Sequence, residues 1–133
     1  MKNKIIFIML TLSTNCIFAQ TSYLCISSIS SGFRYDMAAS NWVSAVFKAN
    51  EKYVIIKDRN EWEWREFGEK VGFKCDGFSD TRQTATSCVL RFGHVWFNRQ
   101  TLRFGKTYYA GYVNGEKSDT PNIELGTCTV LEK

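Results

Sequence analysis

The segment from Arg91 to Tyr112 constrains the fold of this chain more than any other, because its pattern predicts a β-hairpin. His94-Val95-Trp96-Phe97 and Thr101-Leu102-Arg103-Phe104 are rich in aromatic and β-branched residues, and only Asn98-Arg99-Gln100 separates them. Two strand-forming runs around a short polar break are typical of a tight hairpin. An isolated hairpin is marginal in water and needs partner strands to cover its aromatic faces. The segment therefore predicts a multi-stranded sheet.

The two-residue period of a strand assigns faces within this hairpin. We expect 98–100 to be an exposed turn and Phe97 to lie in a paired strand. The second arm is predicted to continue to residue 113, and its alternate residues are assigned to the core: Leu102, Phe104, Tyr108 and Tyr112. Tyr109 falls on the opposite face, which makes it a candidate binding residue.

The rest of the chain repeats short runs of strand formers, punctuated every 8 to 12 residues or so, and this spacing is typical of an all-β sandwich or barrel. Turn residues fill the breaks, as in Asp76-Gly77 and Asn114-Gly115. At most one short helical turn is expected, near Lys70-Val71-Gly72. The predicted strands are 22–27, 32–36, 41–48, 52–58, 61–67, 71–75, 87–92, 94–98, 101–113 and 122–131. The prediction is a single small antiparallel β-barrel or sandwich of about 8–10 short strands, stapled by disulfides.

Residues 1–19 have the pattern of a cleaved secretory signal peptide. Lys2 and Lys4 form a basic start, an apolar run covers 5–12, and Ile17-Phe18-Ala19 precedes Gln20. A competing interpretation is a lipoprotein signal with Cys16 as the lipidated residue, which the polar residues before Cys16 do not favour. We therefore predict a periplasmic or secreted protein with no membrane span and a single β domain over 20–133.

Charge excludes one class of partner. The chain carries 17 Lys and Arg against 13 Asp and Glu, and loss of the two leader lysines leaves a net charge of +2. A nucleic-acid-binding domain would show a clustered basic face, and the basic residues here are scattered among acids. We expect no nucleic-acid partner.

The cysteines of the domain predict disulfides. An even number remains after the leader is removed, in an exported chain, and three pairings are open. A turn-rich segment joins Cys75 and Cys88, while Cys25 and Cys128 lie in the first and last apolar runs. We predict Cys75–Cys88 and Cys25–Cys128. No C-x-x-C pair occurs, so a zinc site is not expected.

Trp62 and Trp64 alternate with Glu61, Glu63 and Arg65, so both indoles share one face of a strand. Two interpretations follow. The pair faces the core under a charged ladder, or it forms a platform for a ligand, since tryptophan is enriched at binding hot spots.

No catalytic constellation can be recognised. His94 is the sole histidine and follows a glycine at a predicted turn, with no serine nucleophile motif nearby. The glycines form no phosphate-binding loop. Cysteines held in disulfides supply no thiolate. We expect neither a cofactor nor enzymatic activity.

The chain resembles a group of small exported bacterial proteins of unknown function, some of them carried by phages. The resemblance covers nearly the whole domain and implies no activity. It rests on Gly32-Phe33-Arg34-Tyr35-Asp36, Trp42, Phe47, Lys48, Trp64, Phe67-Gly68, Cys75, Cys88, Phe97-Asn98, Leu102-Arg103-Phe104 and Thr120 to Cys128.

A second resemblance is to the periplasmic inhibitors of C-type lysozyme, which are small disulfide-bonded β-barrels. Their inhibitory loop, S-G-x-x-Y, is matched by Ser31-Gly32-Phe33-Arg34-Tyr35. The resemblance implies that Ser31 and Tyr35 contact a target, although the loop lies near the chain start and their second, lysine-bearing loop has no clear match.

Three functions follow as hypotheses. The first is an exported, non-catalytic protein that binds a protein or envelope component through an aromatic surface. The second is an inhibitor of a lysozyme-type envelope hydrolase. The third is a hydrolase that acts on envelope polymers, and it would need a cleft that brings His94 or two carboxylates within hydrogen-bond reach, with perturbed pKa values.

Overall fold

The computed structural model describes residues 22–58, 60–77 and 84–131. The predicted leader lies outside these residues. The chain forms nine strands and one short helix over the described ranges. In chain order these are β1 (Ser22–Asp36), β2 (Asn41–Phe47), β3 (Lys52–Asp58), β4 (Glu61–Glu66), β5 (Phe73–Cys75), β6 (Ala85–Leu90), β7 (Gly93–Asn98), β8 (Arg103–Tyr108), α1 (Ala110–Asn114) and β9 (Asn122–Leu131).

Eight of these strands close into an antiparallel barrel. From β3 to β9 each strand pairs with the next along the chain, and β1 closes the barrel because it pairs with β3 on one edge and with β9 on the other. The all-β prediction is confirmed, and the architecture is a barrel rather than a sandwich. Closure leaves none of the eight strands with a fully open edge.

β1 is one long strand, so the prediction of separate strands at 22–27 and 32–36 was wrong. Its register against β9 shifts between Ser27 and Ile29, which marks a β-bulge at Ser28. A bulge adds one residue to one strand and reverses the alternation beyond it. Odd-numbered residues such as Cys25 point inward before the bulge, and Ser30 points inward after it. The reversed alternation made one strand look like two.

β1 and β2 form a hairpin that extends beyond the barrel wall. β9 pairs with β1 only as far as Gly32, whereas β2 follows β1 to Asp36. The turn at 37–40 is closed by the Asp36 carboxylate, which accepts hydrogen bonds from the backbone N–H groups of Ala38 and Ala39. The same two bonds lower the pKa of Asp36.

The prediction of one strand over 101–113 was also wrong. A four-residue turn covers 99–102, in which Leu102 adopts a left-handed backbone with φ 55°. Asn98 holds this turn, because its side-chain oxygen accepts bonds from the N–H groups of Gln100 and Thr101. β8 then ends at Tyr108. The helix lies at 110–114, not near residue 71, and it ends at Gly115 with φ 75°.

The barrel interior holds a core rich in aromatic side chains. Phe97 and Phe104 are paired across β7 and β8 and are both buried, as predicted. Leu102 is only partly buried and packs against the edge of this core. Fully or nearly buried side chains of the cluster are Tyr23, Cys25, Tyr53, Ile55, Trp64, Cys88, Val95, Phe97, Phe104 and Cys128.

Both predicted disulfides are confirmed. Cys25 and Cys128 are direct partners in the β1/β9 register, and Cys75 and Cys88 are direct partners where β5 meets β6. The first bridge closes the barrel by joining its first strand to its last. In the loop-entropy picture, a bridge across so long a loop stabilises the fold by roughly 4–5 kcal/mol.

Candidate interaction surface

Large apolar side chains cover the outer wall of the barrel where β7, β8, β9 and β1 lie side by side. Trp96 lies opposite Gly105 in one row across these strands. Leu125 lies between Gly105 and Ile29 in the same row. The next row runs from Thr107 through Ile123 to β1 and β2. We call the exposed apolar side chains of these rows, together with Phe33 in the adjacent row of β1 and β2, the apolar band, and its members are Ile29, Phe33, Val46, Trp96, Ile123 and Leu125.

This part of the wall carries no charge at its centre. The outward side chains of β9 are Ile123, Leu125, Thr127, Thr129 and Leu131, none of them ionisable. The outward positions of β1 from Ser22 to Phe33 are likewise uncharged. The other side of the barrel differs, since Arg65 of β4 makes an outward ion pair with Glu63 at 2.5 Å. The apolar band is therefore a distinct region of the surface.

A groove of about 670 Å³ lies at the hairpin end of the band. One wall is the hairpin, with residues 31–33 and 44–46, and the other is formed by 107–109 and 121–123. Phe33, Val46 and Ile123 bring apolar surface into it. A volume of this size lies within the range of ligand pockets, roughly 300–1,000 Å³.

Two contacts fix the walls of the groove. Gly32 approaches the chain before β9 so closely that a Cβ atom there would lie 2.0 Å from the carbonyl oxygen of Pro121. The neighbouring Phe33 N–H donates to that oxygen at 3.0 Å. Further along, Trp42 packs edge-on against Tyr35 of the hairpin and against Tyr112 of α1. The hairpin and the helical segment are thus joined at the outer end.

The predicted aromatic platform is not on the surface. Trp64 is 1% exposed and stacks on the Tyr53 ring at 4.6 Å inside the barrel. Trp62 is partly buried and packs against the core beside Tyr23. The structure therefore supports the core interpretation of the pair and removes Trp64 as a binding residue, because closure of the barrel encloses that face of β4.

Other predicted site residues lie at the groove or beside it. Ser31 and Tyr109 both line the groove, and Tyr109 is exposed. Tyr35 lies further along β1, where the Lys117 ammonium lies 4.6 Å from its ring centre. His94 points outward on β7, and its backbone N–H donates to the Thr107 hydroxyl at 3.2 Å.

Tyr53, Lys106 and Glu124 form an ionic cluster that lines a second, smaller cavity of about 290 Å³. The Tyr53 hydroxyl donates to Glu124 at 2.8 Å. Lys106 donates to the other carboxylate oxygen at 2.9 Å and to the Tyr53 oxygen at 3.0 Å. Burial raises the pKa of Tyr53 far above its ordinary value, and the bond to Glu124 and nearby negative charges raise it further. Within this cluster the three side chains satisfy one another's polar groups, as buried polar groups require.

Sequence reasoning missed most of the apolar band, and β9 explains why. Ile123 and Leu125 alternate with Glu124, so a two-residue period assigns the apolar pair to the core and the acid to solvent. The structure shows the reverse: Glu124 is buried and both apolar residues are exposed. Cys128 is the residue from which this could have been predicted. If its disulfide lies inside the barrel, residues 124 and 126 must also point inward, because they share its face of the strand.

No helix among the described residues is long and apolar enough to cross a membrane. Within the same residues, no group of three or more His, Cys, Asp or Glu side chains is placed to hold a metal ion. Comparison of the chain with protein-family models, with curated proteins and with solved structures found no match. The two resemblances noted from the sequence therefore stay predictions.

Proposed function

We propose that this chain is an exported, non-catalytic binding protein whose partner is another protein, docked on the apolar band and its groove. The observation that carries the proposal is the row of Trp96, Leu125 and Ile29, which lies beside uncharged outward positions of β9 and of β1 from Ser22 to Phe33. Centres of protein interfaces are depleted of charge and enriched in aromatic residues, with a polar rim around them. Large exposed apolar patches on small proteins mark interaction sites.

The chemistry of the band favours a protein partner over a lipid surface. Hydroxyl groups of Ser31, Thr107 and Thr127 alternate with the apolar side chains and offer hydrogen bonds to a polypeptide. A surface that docks on anionic lipid carries a cluster of lysine and arginine beside its apolar face. Across β7, β8 and β9 the only outward lysine or arginine is Arg103 of β8.

Site-specific photo-crosslinking tests this proposal. A photoreactive phenylalanine analogue at position 125 should yield a discrete protein adduct in envelope extract. The same analogue at position 71 serves as the matched control and should yield no adduct. Val71 is 83% exposed and lies in the connection between β4 and β5, away from the apolar band. The captured protein, once purified, should bind the wild-type chain directly by calorimetry.

A charge in the band should then weaken that complex. Leu125→Asp is expected to lower the affinity by at least about tenfold, because it buries an unpaired carboxylate at the centre of the interface. Its folding stability should stay within about 0.5 kcal/mol of wild type, since Leu125 faces solvent. Equal adducts from positions 125 and 71, or binding only to anionic lipid vesicles, would contradict the proposal.

A lysozyme-type inhibitor is the second candidate. The observation that favours it is the shared outward face of Ser31, Phe33 and Tyr35 on a disulfide-bonded barrel. A cell-wall turbidity assay with C-type lysozyme tests it: inhibition should be lost in Ser31→Arg and kept in Val71→Arg. Clearing of the cell wall by the chain alone would instead support the hydrolase hypothesis.

A further inference from the structure

β2 is an edge strand without the usual protection. Among the described residues it pairs with β1 alone, and no other backbone hydrogen bond involves its residues. Natural edge strands are blunted by charged residues, proline, bulges or short length. β2 has seven residues, no charge, no proline and an unshifted register with β1. Its outer side therefore presents a row of free N–H and C=O groups to solvent.

The sequence of β2 is complementary to itself in the antiparallel direction. When Ser44 is placed opposite Ser44 of a second copy, Trp42 lies opposite Val46 and Val43 lies opposite Ala45. Large residues thus face smaller ones, and an aromatic ring meets a β-branched side chain, which is a favourable cross-strand pair. Val46 is 86% exposed and so has a full side chain of apolar surface to cover.

Charge does not oppose this register, because the two β2 strands bring no charge to the junction.

We propose that two copies of this chain associate through antiparallel pairing of their β2 strands, centred on Ser44. The arrangement has two-fold symmetry and an isologous interface. It places Trp42 of the second copy beside Val46, at the wall of the groove, so that each copy completes the groove of the other. The proposal goes beyond the binding function: the row that carries that function, Trp96, Leu125 and Ile29, lies on β7, β9 and β1, and Val46 is the one member of the apolar band that takes part in the junction.

Cysteine trapping tests the register in the full-length chain expressed under oxidising conditions. In Ser44→Cys the two new thiols lie on directly opposed residues, about 4.5–5.5 Å apart at Cα, and should form an intermolecular disulfide. Val46→Cys is the matched control. Its two thiols lie four residues apart along the strand, about 13 Å, which is too far for an intermolecular disulfide to form.

Sedimentation equilibrium tests the association itself. The wild-type chain should reversibly dimerise, and Val46→Lys should raise the dissociation constant by at least about tenfold, because two lysines enter one symmetric interface. Val71→Lys, at a similarly exposed site, should leave it unchanged. A wild-type chain that stays monomeric at all concentrations would overturn the proposal. So would a dimer that Val46→Lys leaves intact, if Ser44→Cys also forms no intermolecular disulfide. The Leu125→Asp variant should dimerise as wild type does, which separates this test from that of partner binding.

Discussion

Removal of the Lys106 ammonium is the sharpest test of the barrel interior. The Glu124 side chain is 6% exposed and that of Lys106 is 16% exposed, so the ion pair between them is largely withdrawn from water. Loss of one partner from a buried pair costs about 3–5 kcal/mol, because the remaining charge is left without compensation. Lys106 keeps some contact with water, and Tyr53 still donates to Glu124 in the variant. We therefore expect Lys106→Met to cost about 3 kcal/mol, at the lower end of that range.

Urea denaturation at neutral pH measures this effect, provided that the variant and the wild type give equal m-values. The double variant Lys106→Met/Glu124→Gln is the control. It removes both charges, and it should recover at least about 1 kcal/mol relative to Lys106→Met, because no unpaired charge stays in the interior. A loss below about 1 kcal/mol in Lys106→Met, or a double variant less stable than the single one, would refute the reasoning and place Glu124 in contact with water.

Two further predictions concern the same interior. Tyr53→Phe should cost roughly 1.5–3 kcal/mol near neutral pH, as expected for a hydrogen bond to a charged group. The pKa of Tyr53 is raised on folding, so its contribution is complete below its ordinary pKa of 10.0 and is lost as the pH rises above that value. The stability difference between wild type and Tyr53→Phe, followed by urea titration, should thus shrink between about pH 10 and 11, and a constant difference would contradict this assignment. The inward and outward sides of β7 give a matched pair: Phe97→Ala should cost about 3–5 kcal/mol, whereas the adjacent Trp96→Ala, at 61% exposure, should stay within about 0.5 kcal/mol. Equal losses from the two would mean that the alternation along β7 is misassigned.

The local chemistry of the sequence was enough to predict most strands and turns. The bounds of β3 and β9 were predicted as the structure has them, at 52–58 and 122–131. The hairpin at Phe97 and Phe104 was also predicted, because aromatic alternation and a polar break act over a few residues. The disulfide pairing followed in the same way, from a turn-rich loop and from two terminal apolar runs.

Local chemistry misled where an element departed from a simple period. Leu102 was assigned to a strand, although the Asn98 side chain holds a turn through residue 101 and Leu102 takes a left-handed backbone. The bulge at Ser28 divided one strand into two in the sequence pattern. The pattern around Trp64 favoured a core position over a binding platform, and closure of the barrel decided between them.

The candidate surface depended on the tertiary structure almost entirely. Nothing local makes Glu124 an interior residue: its place follows from Cys128, whose bridge to Cys25 sets the face of β9 that turns inward. That same constraint exposes Leu125 and Ile123 beside Ile29, which is more than ninety positions away in the chain. Side-chain alternation along a strand is a local property, but the choice of which face is buried belongs to the closed sheet as a whole. The residue pattern alone was enough to predict a disulfide-bonded β domain, and barrel closure decided which of its apolar residues lie on the outer wall.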